Sequence, residues 1–271
     1  MNVEAVIEII KNEIKNHVDT AVVGLSGGAD SFLVMLLCAE ALGKENVYAL
    51  SMPYSELDIR TFNNLSTMYA EHMGVNHHVV GIGDIASSIT RTISEIINPG
   101  KDNALSVLNA GNARSRARMC VLYGFAHDLN EKLKNRVRVM GTGNLSEDFI
   151  GYDTKGGDAL ADIFPIGQLF KSEVYKTLDY YRDHGKITEK MINRIPSAGL
   201  WENQTDEDEL GYSYNDMEPA IRHILLNYDT IDESSLSEIQ RFVWLRHKAN
   251  KHKHEAPYVV SLRDVKGNLL V

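Results

Sequence analysis

Two short strings in this chain carry residue types suited to phosphate chemistry. The first is Ser26-Gly27-Gly28-Ala29-Asp30-Ser31, directly after the apolar run Ala21 to Leu25. Glycines let a backbone approach an anion without Cβ interference. A helix beginning just after them offers unpaired N–H groups to that anion. Ser26 and Ser31 add hydroxyl donors. Asp30 is the exception, because a carboxylate beside phosphates repels them, and it calls for a bridging metal, most simply Mg²⁺. The second string is Gly141-Thr142-Gly143-Asn144-Leu145-Ser146-Glu147, again after what reads as a buried strand, Val137 to Met140. Glu147 is suited to join Asp30 on one cation, and Thr142 to donate to a nucleotide. Taken alone, the second string also reads as a helix cap with a glutamate in its first turn.

The elements that must position these strings follow from hydrophobic periodicity. Val3, Val6, Ile7, Ile10 and Ile14 predict an amphipathic opening helix. A strand over Ala21 to Leu25, an apolar helix over Phe32 to Leu42 and a strand over Val47 to Ser51 follow. Then come a helix over Leu57 to His72, a strand over His77 to Ile82 and a helix over Ile85 to Ile97. This alternation predicts an α/β fold with a doubly wound parallel sheet, whose ligands sit beyond the carboxyl ends of the strands. A long helix over Ala113 to Leu133 leads to the strand at Val137 to Met140. Leu145 to Pro165 shows no clear period and is expected to be a long functional loop or lid. Helices are expected over Lys171 to Arg182, Thr188 to Arg194, Met217 to Leu226 and Leu236 to Lys248, giving a helical C-terminal part. With no repeat or low-complexity linker, residues 1–271 read as one domain.

Composition narrows the function classes. The 271 residues are 44% hydrophobic and 24% charged, with a net charge of −9, which argues against a nucleic-acid partner. The longest apolar stretch, within Ser31 to Leu42, is too short to span a bilayer. Met1 to Glu4 does not read as a signal peptide. The two cysteines, Cys38 and Cys120, support neither a disulfide framework nor a cysteine zinc site. A cytoplasmic location is expected. The acidic run Asp206-Glu207-Asp208-Glu209 reads as a solvated loop or a subunit contact rather than a metal site.

The first string resembles the loop of the ATP pyrophosphatase superfamily; it is not a Walker loop. The resemblance sharpens with Gly141 to Glu147, Gly151-Tyr152-Asp153-Thr154-Lys155-Gly156-Gly157-Asp158 and Ala161-Asp162-Ile163-Phe164-Pro165. Pro196-Ser197-Ala198-Gly199-Leu200-Trp201 and Gln204 to Gly211 extend it. Together they resemble ammonia-dependent NAD synthetase, from the first loop to Pro257. That family amidates nicotinic acid adenine dinucleotide (deamido-NAD). The substrate carboxylate attacks the α-phosphate of ATP, and ammonia then displaces AMP from the acyl-adenylate.

The resemblance implies ATP contacts from Gly24, Leu25, Ser26, Gly27, Gly28, Ala29, Asp30 and Ser31, and from Thr142, Lys171 and Ser197. It implies Mg²⁺ on Asp30 and Glu147, so that Asp30, Glu147, Lys155 and Lys171 form the catalytic set. It implies deamido-NAD contacts from Arg116, Lys155, Asp162, His252 and Lys253. Without it, Arg114-Ser115-Arg116-Ala117-Arg118 would read as a solvated basic face and Lys251 to Pro257 as a basic tail. Arginine suits an anionic dinucleotide because its planar fork pairs with phosphate or carboxylate. The family forms homodimers with the dinucleotide site near the interface, and no glutaminase domain is expected here. The chain departs from the family at Ser197 (threonine), Gly156 (tyrosine), Phe164 (asparagine) and His254 (arginine). A related ligase acting on another carboxylate and a nucleotide-binding sensor without catalysis are the alternatives.

Overall fold

A computed structural model describes residues 1–55, 63–97, 99, 106–192 and 206–263. The opening helix α1 (Val3–His17) is capped by Asn2, whose side chain accepts from the Ala5 N–H. Strand β1 (Thr20–Gly24) is buried apart from its last residue. It feeds α2 (Ala29–Leu42), nearly all of whose face is buried, as its all-round apolar sequence requires. Strand β2 (Val47–Ser51), helix α3 (Asn63–Met73), strand β3 (Asn76–Val79) and helix α4 (Gly83–Ile97) follow. The long α5 (Val107–Leu133) returns the chain to β4 (Val137–Met140).

The four strands form one parallel sheet in the order β3-β2-β1-β4. β1 pairs with β2 (Ala21 opposite Val47) and with β4 (Thr20 opposite Val137). The direction of winding therefore reverses between β1 and β4. Adjacent strand ends diverge there and leave a crevice at their carboxyl side. Apolar clusters cover both faces. One joins α1, α2 and α7 (Lys171–Asp183) through Ile14, Phe32, Leu36, Val174 and Leu178. The other joins α4 and α5 through Ile82, Ala86, Leu122 and Leu129.

The third strand is shorter than His77 to Ile82. Val80 and Ile82 still donate to Ser51 and Pro53 carbonyls (2.8 and 2.9 Å), but Pro53 has no N–H to return, so the ladder ends at Val79. The long helix begins six residues earlier than Ala113, where Ser106 caps it by accepting from the Asn109 N–H. Thr188 to Arg194 is reduced to a 3₁₀ turn over Glu189–Met191, and residues 193 and 194 lie outside the described residues.

The expected lid at Leu145 to Pro165 is instead a pinned segment. Its first six residues form α6 (Leu145–Ile150), too short to display a period in sequence. The Asn144 side chain caps it, accepting from the Ser146 and Glu147 N–H groups, and Gly151 ends it at φ +62°. A Cβ at Gly151 would lie 2.1 Å from the Asn250 Cβ, so a glycine is required on steric as well as conformational grounds. Ile163 then lies parallel to Met140 and accepts from the Gly141 N–H at 2.7 Å.

The helical C-terminal part packs α6 against α9 (Tyr214–Leu226) and α10 (Glu238–Asn250) through Phe149, Met217, Ile221, Ile224 and Val243. Between α7 and α9, the acidic run is not a loop. It forms a short helix α8 (Asp206–Leu210), and Asp206 is buried.

Candidate active site

The loop between β1 and α2 is held by its own serines. Ser31 Oγ accepts from the Ser26 N–H (3.2 Å) and donates to the Gly28 carbonyl (3.1 Å), while Ser26 Oγ accepts from the Gly28 N–H (3.2 Å). Gly28 is the N-cap of α2, and no side chain caps that helix start. The first N–H groups of a 14-residue helix therefore face the crevice, as an anion requires.

The loop after β4 lies alongside, because β4 is the neighbour of β1. Asn144 links the two loops: its Nδ2 donates to Asp30 Oδ1 at 3.0 Å. Lys171, the first residue of α7, completes the cluster. Its Nζ lies 2.6 Å from Asp30 Oδ2 and 2.8 Å from Glu147 Oε1, with only 6% of its side chain exposed. Burial opposes charge on this lysine, but the Asp30 and Glu147 carboxylates outweigh it and hold the ammonium above the ordinary lysine range. Burial pushes the Glu147 carboxyl up to about 8, against the pull of Lys171 and with the help of Asp30.

Three further residues, Tyr214, Asp206 and Glu218, close the cluster, and sequence reasoning had assigned none of them to it. Tyr214 OH donates to Asp206 Oδ2 at 2.9 Å and lies 3.5 Å from Glu147 Oε1. Glu218, 5% exposed, accepts from Ser146 Oγ and the Ser172 N–H at 2.9 Å each. It thereby ties together the residues flanking Glu147 and Lys171. Glu218 was findable, since it falls on the apolar stripe of α9 with Tyr214, Met217 and Ile221. Asp206 was not, because four consecutive acids hide the one that turns inward.

The crevice is a cavity of about 580 Å³. Gly24, Leu25, Ser26, Gly28, Ala29, Asp30, Ser31, Thr142, Glu147 and Lys171 line one end. Gly27 sits in the turn at φ +78° and is buried behind this wall. Ser197 lies outside the described residues. Asn112, Ser115, Arg118, Asp153, Thr154 and Lys253 line the other end. Here Ser115 Oγ donates to Asp158 Oδ1 (2.7 Å) and Thr154 Oγ1 to Asn112 Oδ1 (2.7 Å), fastening the 154–158 turn to α5.

The remaining expected residues gather around this end without all facing the cavity. Arg116 is exposed and its Nε donates to the Lys155 carbonyl at 3.2 Å. Lys155 Nζ donates to the His252 carbonyl at 2.7 Å, and Lys253 Nζ to the Gly151 and Asp153 carbonyls at 2.7 and 2.8 Å. Within the basic string, Arg118 lines the cavity, four residues and about one helical turn from Arg114, while Arg116 points away. Asp162 stands apart. Its carboxylate accepts from the Val139 N–H (2.8 Å) and from Tyr123 OH (3.3 Å), so it caps the open edge of β4 and is not part of the cavity wall. Phe164 packs on the face of Gly141, where a Cβ would lie 2.4 Å from its ring.

The profile of the family described as NAD synthase matches residues 2–257. The chain belongs to that family. It is 38% identical over 266 residues to an NH(3)-dependent NAD(+) synthetase of Methanosarcina acetivorans, covering 95% of this chain and 96% of the relative. It is 34% identical to the corresponding enzyme of Archaeoglobus fulgidus, covering 98% of this chain and all of the relative. Among solved structures, an NMN synthetase from Francisella tularensis aligns with a TM-score of 0.74 at 26% identity, over 96% of this chain and 99% of that one. An NH3-dependent NAD synthetase from Campylobacter jejuni, in complex with nitrate, aligns with a TM-score of 0.66 at 25% identity, over 96% and 97%. The NAD synthase fold thus accounts for both the parallel sheet and the helical C-terminal part.

Proposed function

We propose that this chain is an ammonia-dependent NAD synthetase. It would convert deamido-NAD, ATP and ammonia to NAD, AMP and pyrophosphate through an acyl-adenylate. The observation that carries this reading is the meeting of the serine-tied glycine loop with the Asp30–Lys171–Glu147 cluster at adjacent strand ends of one cavity. Full-length similarity to NH(3)-dependent NAD(+) synthetases supports it.

In this reading, Gly24 to Ser31 and the start of α2 receive the phosphates of ATP, with Thr142, Lys171 and Ser197 as further ATP contacts. Asp30 and Glu147 hold Mg²⁺. The donor set fits a hard cation: Asp30, Glu147 and Asp206 are three inward-facing carboxylates set against one lysine. When bound, Mg²⁺ would offset phosphate charge and make the α-phosphorus a better electrophile. Lys171 adds a fixed positive charge on the same side.

The acceptor enters from the other end, where Lys155 and Lys253 supply cations, with Arg116 and His252 beside them. Its carboxylate oxygen bonds to the α-phosphorus as the bond to pyrophosphate breaks. Ammonia then bonds to the acyl carbon, and AMP leaves with the former carboxylate oxygen while the new amide loses a proton. Asp162, exposed and holding the edge of β4 through the Val139 N–H, is a further contact for the acceptor in this reading. The chain acts as a homodimer in this reading. Ile96, Ile97, Val107 and Leu108, all more than half exposed at the facing ends of α4 and α5, supply an apolar surface beside the acceptor end. Among the described residues no helix is long and apolar enough to cross a membrane.

The test is product analysis with ATP, Mg²⁺, ammonium and deamido-NAD. NAD, AMP and pyrophosphate should form in equal amounts. Nicotinic acid mononucleotide is offered in parallel, because an NMN synthetase shares this fold. Preference for the mononucleotide would keep the chemistry and reassign the acceptor.

A further inference from the structure

Asp148, Asp153 and His254 form a second cluster, outside the Asp30–Glu147 pair. One ligand atom from each lies within 4.8 Å of the other two. Asp148 follows Glu147 on α6, but a helical step of about 100° turns it away from Lys171. Asp153 comes from the turn after Gly151. His254 comes from the end of the 3₁₀ turn Lys251–Lys253 that follows α10.

Asp153 is the informative member. Its side chain is 5% exposed, and its Oδ1 accepts no hydrogen bond among the described residues. Two basic side chains lie close by. His254 Nε2 pairs with Oδ2 at 2.5 Å, and Lys253 Nζ lies 3.7 Å from Oδ1. Lys253 instead points its donors at the Gly151 and Asp153 carbonyls. That leaves Oδ1 buried with no donor within hydrogen-bond reach, and such an atom marks an absent ion or water. An imidazole nitrogen and two carboxylates that converge in this way can serve as ligands of a common cation.

We infer that Asp148, Asp153 and His254 form a binding site for a first-row transition-metal dication, with Zn²⁺ the best match. One imidazole with two carboxylates suits zinc, which takes three protein ligands and a water in an open site. Mg²⁺ is the poorer match, because it prefers oxygen ligands alone. The site joins the 151–158 turn to the C-terminal segment, the two stretches that carry Lys155, His252 and Lys253. Metal there stiffens the acceptor end of the cavity. The site belongs to this chain in particular, since the resemblance to the family places arginine, which cannot ligate, at position 254.

The test is Zn²⁺ binding to the full chain by calorimetry, with Mg²⁺ in large excess to fill the Asp30–Glu147 site. Co²⁺ serves as a visible-absorption probe of nitrogen ligation. The wild type and Asp30→Asn should each bind one Zn²⁺ per chain. His254→Arg and Asp153→Asn should lose affinity by more than the roughly 10- to 100-fold that removal of an outer-shell partner costs. His254→Arg keeps a cation against Asp153, so its folding is checked by circular dichroism in chelator. No Zn²⁺ binding by the wild type, or equal binding by His254→Arg, overturns the site and leaves a histidine–aspartate ion pair. Should His254→Arg fail to fold, a wild-type Co²⁺ spectrum without a ligand-field band overturns it equally. None of these readouts requires NAD synthesis.

Discussion

Lys171 Nζ lies 2.6 Å from Asp30 Oδ2, across 141 residues of sequence. The contact joins the first residue of α7 to the first turn of α2, and Glu147 meets the same ammonium from the other side at 2.8 Å. Three elements that share no local sequence thus depend on one buried charge. Lys171→Met should leave two buried carboxylates without a counter-charge, a loss of about 3–5 kcal/mol. Glu147 should then stay protonated well above neutrality. Turnover should fall by at least about 100-fold, the scale of removing one preorganised electrostatic donor. Denaturant melts and steady-state rates measure the two effects separately.

Glu218 should matter although it touches no substrate. It accepts from Ser146 and Ser172, and Ser146 Oγ in turn accepts from the Lys171 N–H at 2.9 Å. Glu218→Ala strands these donors in a buried site, at a cost of about 3 kcal/mol. Melting temperature should fall by roughly 6–12 °C at this chain length. Turnover should fall with it, because Glu147 and Lys171 each sit one residue from a serine that Glu218 holds.

Glu147 makes metal-free stability depend on pH in a defined direction. Its folded value of about 8 lies above the ordinary 4.5. Below about 4.5 the carboxyl carries its proton in both folded and unfolded chains. Between 4.5 and 8 only the folded chain holds it, so stability from this group falls as pH rises, and the loss is complete above 8. Melting curves in chelator should show this decline in the wild type and not in Glu147→Gln. Mg²⁺ competes with the proton, so its affinity should rise with pH through the same window.

Asp206 should strengthen cation binding. It is 3% exposed, lines the cavity and raises the Glu147 carboxyl value. Asp206→Asn should weaken Mg²⁺ binding by about tenfold, or about 1.4 kcal/mol. It should also move the pH dependence of Glu147 downward. Isothermal titration at two pH values checks both.

The parts legible in sequence were those written as strong local patterns. The β1 loop and the Gly141–Glu147 loop each followed a buried strand, and β-α-β order predicted the parallel sheet that places them side by side. Less legible were features set by tertiary contact. Helix α6 is shorter than two turns, so no period announced it. Asp206 shares its composition with three exposed neighbours, and only the packing of Tyr214 singles it out. Arg116 and Arg118 are alike as residues, and the helical phase of α5 decides which one lines the cavity. Asp162 lies in a motif rich in functional residues, and nothing in that motif announces that its carboxylate also accepts from the Val139 N–H of β4.

The central claim is that this cavity directs a carboxylate to the α-phosphate of ATP. Deamido-NAD labelled with ¹⁸O in its carboxylate tests it most directly. Mass analysis of the products after turnover with ammonium should find one labelled oxygen in each AMP and none in pyrophosphate. Label appearing in inorganic phosphate, with ADP as the nucleotide product, would place the attack at the γ-phosphate and contradict the account.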